Sequence, residues 1–171
     1  MKNALLVNHN NDEFYTPLYA IEPLLKYIPK NITIWEPTDY GESNITKILE
    51  KNGHKVIKTH IKDGYDFITY RPTFNFDMII TNPPYTLKDE FLTKCYELNK
   101  PFALLLPLTA LEGITRGRLF RKYGVDLIIL DKRVEFMKNK SNWFNTSWFT
   151  YKILPKSLIF EELKKEWIKW L

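Results

Sequence analysis

The sequence predicts an α/β fold: a mostly parallel, twisted sheet with helices on both faces and an antiparallel hairpin near the carboxyl end. Three observations predict it. Short apolar runs rich in β-branched residues recur along the chain, stretches with helical spacing separate them, and turn formers mark the junctions. Strands alternating with helices of this length make βαβ units, whose crossovers cover a parallel sheet on both sides.

The first helix is expected over residues 18–27, with Thr16 as N-cap and Pro17 as first helical residue. A strand over 32–35 follows, then a helix over 42–52 stopped by Gly53. Strands over 55–59 and 77–81 lead to a helix over 87–98. A strand over 101–106, a helix over 111–123 closed by Gly124, and a strand over 125–130 continue the alternation. Residues 148–154 alternate in strand fashion and pair with 125–130. Beyond Pro155, Ile159, Leu163, Trp167 and Trp170 fall on one helical stripe, either a packing face or a dimer contact.

No repeat, low-complexity tract or Pro/Ser linker divides residues 1–171, which are read as one domain of ordinary size. A chain that is 44% apolar and 15% aromatic has a core to bury and is not a disordered one. No apolar run is long enough to span a membrane, and the first residues lack a signal-peptide stretch, so a cytoplasmic protein is expected. The lone Cys95 excludes an internal disulfide and reads as an inert buried thiol. His9, His54 and His60 have no metal-ligand spacing.

Net charge is +5, and a surplus of that size lies between Arg116 and Lys140, where eight basic residues stand against three acids. Such a concentration suits a polyanion, though a solvated lysine-rich face would look the same. In parallel sheets ligands sit beyond the carboxyl ends of the strands, so the loops after strands are where chemistry is expected.

One of those loops is distinctive. The buried strand at 77–81 runs into Asn82-Pro83-Pro84-Tyr85. Two prolines fix φ and restrict the residue before each, which holds Asn82 extended at the strand end. The Asn82 side-chain oxygen and the Pro83 carbonyl then offer two acceptors for the hydrogens of a planar amino group, and Tyr85 adds a flat face. Accepting both hydrogens draws the nitrogen lone pair out of ring conjugation and makes it nucleophilic without prior deprotonation.

Here the sequence resembles the S-adenosylmethionine-dependent amino-methyltransferases, above all the adenine-N(6) DNA methyltransferases, whose catalytic loop reads Asp/Asn-Pro-Pro-Tyr/Phe. The resemblance spans about Asp12 to Leu154 and implies a Rossmann-like class I methyltransferase fold with S-adenosylmethionine as cofactor. It implies catalytic roles for Asn82, Pro83, Pro84 and Tyr85. Phe14-Tyr15-Thr16-Pro17 resembles the motif contacting the methionine end of the donor, and Glu36-Pro37 the motif whose acid lies near its ammonium group. Asp66-Phe67 resembles the pair that binds the donor's adenine. Where the family has a glycine-rich loop after the acid, this chain has Thr38-Asp39-Tyr40-Gly41-Glu42-Ser43, with Gly41 its only glycine. Either donor affinity is low or the loop takes another path. Where the family has an acid for the ribose hydroxyls, the chain reads Lys58-Thr59-His60, with Asp63 a nearby substitute.

A base within a duplex cannot reach such a loop and has to be single-stranded or flipped out. Arg133, Phe136, Trp143 and Phe144, with Trp148, lie in or just after the basic stretch and are the target-binding candidates, as stacking on exposed bases requires. Core packing would account for the same aromatics. Arg133 is the phosphate-contact candidate, and the loop from Gly113 to Arg118 is a second. No unassigned stretch is large enough for a recognition domain, which leaves loose specificity, recognition borrowed from a partner subunit, or an RNA or free single-stranded target. The leading expectation is methyl transfer to the N(6) amine of adenine in DNA. Transfer to an RNA base or a protein glutamine, and a non-catalytic nucleic-acid-binding subunit, are the alternatives.

Overall fold

The computed structural model describes residues 15–136 and 144–164. The described elements are α1 (Leu18–Leu25), β1 (Thr33–Glu36), α2 (Asn44–Lys51), β2 (Lys55–Lys58), β3 (Met78–Thr81), α3 (Lys88–Leu98), β4 (Phe102–Pro107), α4 (Ile114–Tyr123), β5 (Asp126–Leu130), β6 (Thr146–Tyr151) and β7 (Leu158–Glu161), with short 3-10 turns at Ile61–Asp63, Tyr85–Leu87 and Leu108–Leu111. The seven strands form one sheet in the order β2-β1-β3-β4-β6-β5-β7. The pairings β1–β2, β1–β3, β3–β4 and β5–β7 are parallel, and β6 is antiparallel to both its neighbours.

Each face of the sheet carries its own apolar layer. On one, α1 and α2 pack Ala20, Ile21, Leu24, Ile45 and Leu49 against Ile34, Ile80, Ala103, Leu105 and Trp148. On the other, α3 places Phe91, Leu92, Cys95 and Tyr96 against Ile79, Phe102, Leu104 and Phe149. The alternation along β4 divides its side chains between the two layers, and all six of its residues are buried. Burial pushes the Cys95 thiol well above its usual range, leaving it uncharged in the core.

Several boundaries differ from the sequence expectation for visible reasons. Thr16 does not cap α1: Pro17 occupies the cap position with no side-chain hydrogen bond, and Thr16 is engaged elsewhere. Ser43 caps α2 by accepting from the Ile45 amide at 3.2 Å. The expected helix over 111–123 begins only at Ile114, because residues 108–111 form a 3-10 turn and Gly113 breaks the chain direction at φ 134°. The crossover from β2 to β3 holds no α-helix. Its aromatics pack edge-on around the buried Trp35, with Phe67, Phe74 and Phe76 at 5.1 to 5.3 Å between ring centroids.

The largest correction concerns the carboxyl end. Residues 158–161 form β7, paired to the open edge of β5, in place of a helix. Only Ile159 and Leu163 of the supposed stripe lie in the described residues, one turn apart, and the open ladder of β5 outcompetes so short a helix. Trp167 and Trp170 lie outside the described residues. β6 does pair with β5, as expected, but it also enters between β4 and β5. Trp148 there is fully buried and donates its indole N–H to the Ala20 carbonyl at 2.8 Å, which makes it a core residue and no base-stacking platform. Replacing Trp148 by Phe removes that bond and leaves a void, and is expected to lower unfolding free energy by about 2 kcal/mol in urea denaturation; an unchanged midpoint would contradict the packing assigned to it.

Candidate functional site

Parallel strands end at the same rim, so the turns after β1, β2 and β3 meet. They enclose a cavity of about 580 Å³. Of the residues read from the sequence as catalytic or donor-binding, Tyr15, Thr16, Glu36, Pro37, Asp66, Phe67, Asn82 and Pro84 line it. Pro17, Gly41, Asp63, Pro83 and Tyr85 are not among its lining residues.

Asn82 follows the last residue of β3, and its carboxamide donates from Nδ2 to the Thr16 hydroxyl at 3.0 Å. That bond fixes the plane of the amide. Thr16 is thus tied to the Asn82–Tyr85 loop instead of to its own helix, while its carbonyl accepts from the Asn44 side chain at 3.0 Å. Pro84 leads into the turn Tyr85–Leu87, and Lys88 Nζ donates to the Tyr85 carbonyl at 3.1 Å. The Tyr85 ring lies edge-on to Phe144 at 5.7 Å and to Phe136 at 6.4 Å, outside the cavity lining but beside the same loop. Phe136 is buried, and Arg133 is exposed with its Nε donating to Asn145 Oδ1 at 3.0 Å. Trp143 lies outside the described residues.

Glu36, at the end of β1, is 1% exposed. Its Oε1 accepts from the Thr38 amide at 3.0 Å and hydroxyl at 2.9 Å, and its Oε2 from the Ser43 hydroxyl at 3.3 Å. The Thr38 hydroxyl in turn shares a 2.7 Å hydrogen bond with Thr81, the residue before Asn82. Burial raises the Glu36 carboxyl to about 7, against the lowering effect of the threonine hydrogen bonds.

The glycine-poor loop takes its own path. Asp39 stands at its centre, accepting from the Gly41 amide at 2.6 Å, the Ser43 amide at 3.1 Å and the Thr46 hydroxyl at 2.6 Å. Burial disfavours its charge, yet these bonds and the charge of Lys58 hold the Asp39 carboxyl below its usual range. Gly41 serves the turn through φ 109°, with open space where a Cβ would stand, so close ligand approach is not what requires it. Asp39 carried no motif, and only its contacts reveal its role.

After β2 the cavity takes His60 in place of Asp63, which lies in the next turn. His60 Nδ1 accepts from the Lys62 amide at 3.1 Å, and its ring packs 5.1 Å from Tyr40, over which Lys62 Nζ sits at 5.0 Å. Tyr40, Tyr65 and Lys62, none of them singled out by sequence, join the lining. Asp66 lines it too, and its carboxylate also organises its own turn by accepting from the Ile68 amide at 3.0 Å. The lining holds the acids Glu36, Asp39, Glu42 and Asp66 against Lys62 and His60, in a chain of net charge +5. Such a cavity suits a cationic ligand.

Because the Glu36 carboxyl stands at about 7 when folded against an ordinary 4.5, ionising it costs stability. The cost is absent below the ordinary value, grows up to pH 7 and stays constant above, at about 3 kcal/mol. Glu36→Gln keeps an acceptor for Thr38 and removes the charge. The variant is expected to gain stability over the parent at about pH 8 and to lose that advantage near pH 5; equal differences at both values in urea denaturation would refute the buried ionisation.

No protein-family model and no curated protein sequence matches the chain. Among solved structures, a Listeria monocytogenes protein assigned to the class I S-adenosylmethionine-dependent methyltransferases aligns over 95% of this chain and 68% of its own, at 14% identity and a TM-score of 0.51. A TehB-like S-adenosylmethionine-dependent methyltransferase from Corynebacterium glutamicum aligns over 84% of this chain and 91% of its own, at 13% identity and a TM-score of 0.46. At such identity it is the fold that the first likeness establishes: a seven-stranded, Rossmann-like class I methyltransferase sheet with its antiparallel strand near the carboxyl end.

Proposed function

We propose that the protein transfers a methyl group from S-adenosylmethionine to the exocyclic N(6) amine of adenine in DNA. The observation that carries this reading is the Asn82-Pro83-Pro84-Tyr85 loop, with Asn82 and Pro84 on the wall of an acid-lined cavity and Tyr85 in an aromatic group with Phe136 and Phe144 beside it. The class I fold and the cofactor of the aligned methyltransferases support the same donor.

The residues present fit that donor. Its sulfonium supplies an electrophilic methyl group, and its cationic centres match the lining acids. Glu36 is placed to meet the ammonium group. Asp66 and Phe67, both on the cavity wall, would hold the adenine, with Asp66 accepting from its amine. His60 stands where the family has an acid for the ribose. On the target side, Asn82 Oδ1 and the Pro83 carbonyl accept the two hydrogens of the incoming amine, held in orientation by the Thr16 hydroxyl bond on Asn82 Nδ2. The nitrogen would then attack the sulfonium methyl group with its lone pair as the S–CH3 bond breaks, leaving a neutral thioether, and the methylated amine would afterwards release one proton to solvent. Tyr85 and Phe144 offer ring surface to a base taken out of its stack, whereas Phe136 is buried in the core, and Arg133 offers a cation for phosphate.

Incubation with labelled donor and mixed DNA, RNA and protein, followed by digestion to nucleosides and amino acids, tests the assignment. Label in N(6)-methyladenine from DNA is expected, and label confined to RNA or glutamine would sink the choice of substrate. Asn82→Ala is expected to abolish transfer while thermal stability and calorimetric donor binding persist; surviving activity would remove the role given to the carboxamide. Asp66→Ala is expected to weaken donor binding by about 1–3 kcal/mol, the range for losing a hydrogen-bond partner, with an unchanged dissociation constant counting against its placement.

A further inference from the structure

The corner where β4 passes into α4 has an unusual surface. Ile114 is 77% exposed and Leu111 43%, both among the large apolar side chains that the fold leaves in solvent. α4 buries none of its residues and contains no acid, and Arg118, Arg121 and Lys122 are exposed on it. Ile114, Arg118 and the pair Arg121 and Lys122 recur at helical spacing and make one stripe, apolar at the sheet rim and cationic beyond.

This corner is held rigid. Arg116, which the sequence offered as part of a phosphate-contacting loop, is turned inward with its side chain 12% exposed. Its Nε donates to the Ala110 carbonyl at 2.7 Å, and its guanidinium also bonds the Glu112 carbonyl and the Asp89 carboxylate. Gly113 is required at the turn by its φ of 134°. Asp89 lies in the first turn of α3, just beyond the Asn82–Tyr85 loop. One arginine therefore fixes the exposed corner relative to the loop that carries the proposed chemistry. Leu111 and Ile114 are exposed on an ordered frame, and ordering them on binding costs little.

Resting on the nucleic-acid substrate proposed above, we infer that this corner docks the unpaired strand that feeds the site, Arg118, Arg121 and Lys122 taking successive phosphates while Leu111 and Ile114 lie against unstacked base faces. Charge complementarity supports a polynucleotide, and apolar wedges beside phosphate-binding cations are a recurrent means of holding opened strands. Both kinds of side chain on one stripe give the two halves of a nucleotide separate partners.

Fluorescence anisotropy of a labelled single-stranded DNA, with the full chain at several salt concentrations, tests this. The double substitution Leu111→Ser with Ile114→Ser is expected to weaken binding roughly tenfold with the salt slope unchanged. Arg118→Gln with Arg121→Gln is expected to flatten the slope by roughly 0.7 per lost phosphate contact. Thermal melting and calorimetric titration with S-adenosylmethionine should be unaltered in both variants, since none of these residues lines the donor cavity. If the parent binds the strand and both variants match it, the docking surface is wrong and the substrate reading stands. If the parent binds no strand yet methylates protein, both fail. A dimer in sedimentation that the serine variant dissociates, with strand affinity unchanged, would assign the apolar pair to self-association and overturn the proposal.

Discussion

The parallel pairing of β1 with β3 is the constraint on which the site depends. Ile34 pairs with Met78 and Trp35 with Ile79, so the two strands finish side by side and deliver Glu36 and Asn82 to the same rim. Once that register is set, the hydroxyls of Thr38 and Thr81 bridge the two turns, and Thr16 reaches across to orient the Asn82 amide. A one-residue slip would turn Thr81 and its neighbours to the opposite face and separate the network into unsatisfied fragments.

Polar groups in this rim are organised around two carboxylates with opposite behaviour. Asp39 accepts from the Gly41 and Ser43 amides of its own loop and from the Thr46 hydroxyl of α2, and these bonds favour its charged form. Glu36 also accepts three hydrogen bonds, but in a more buried place, and its charge is correspondingly expensive. A carboxylate held at such cost beside a cavity favours a ligand that brings positive charge. The glycine-poor loop is thus built around a side-chain carboxylate beside the cavity.

Charge is also divided in space. Acids gather in the cavity, whereas cations are exposed along α4 and at Lys132 and Arg133 after β5. A small cation inside and a polyanion outside would each meet a complementary surface, and the two surfaces are joined through the bracket of Arg116 on Asp89. That arginine illustrates why net charge alone misleads: it belongs to the basic stretch yet is spent on internal structure.

The sequence by itself determined which segments between residues 18 and 130 become strands and helices, because periodicity and proline or glycine stops are local. It also determined the stiffness of the Asn82–Tyr85 loop, since proline fixes φ whatever surrounds it. Only the tertiary structure decided what those segments meet. Thr16 reads locally as a helix cap and becomes a partner of Asn82, Asp63 reads as the acid after β2 and yields that place to His60, and Trp148 reads as a stacking aromatic and lies in the core. Residues 158–161 read as helix and pair as β7, because the open edge of β5 supplies hydrogen bonds that no local pattern encodes. Each of these outcomes turns on a partner distant in sequence, brought near by strand order, and strand order is set by burying both faces of the sheet at once.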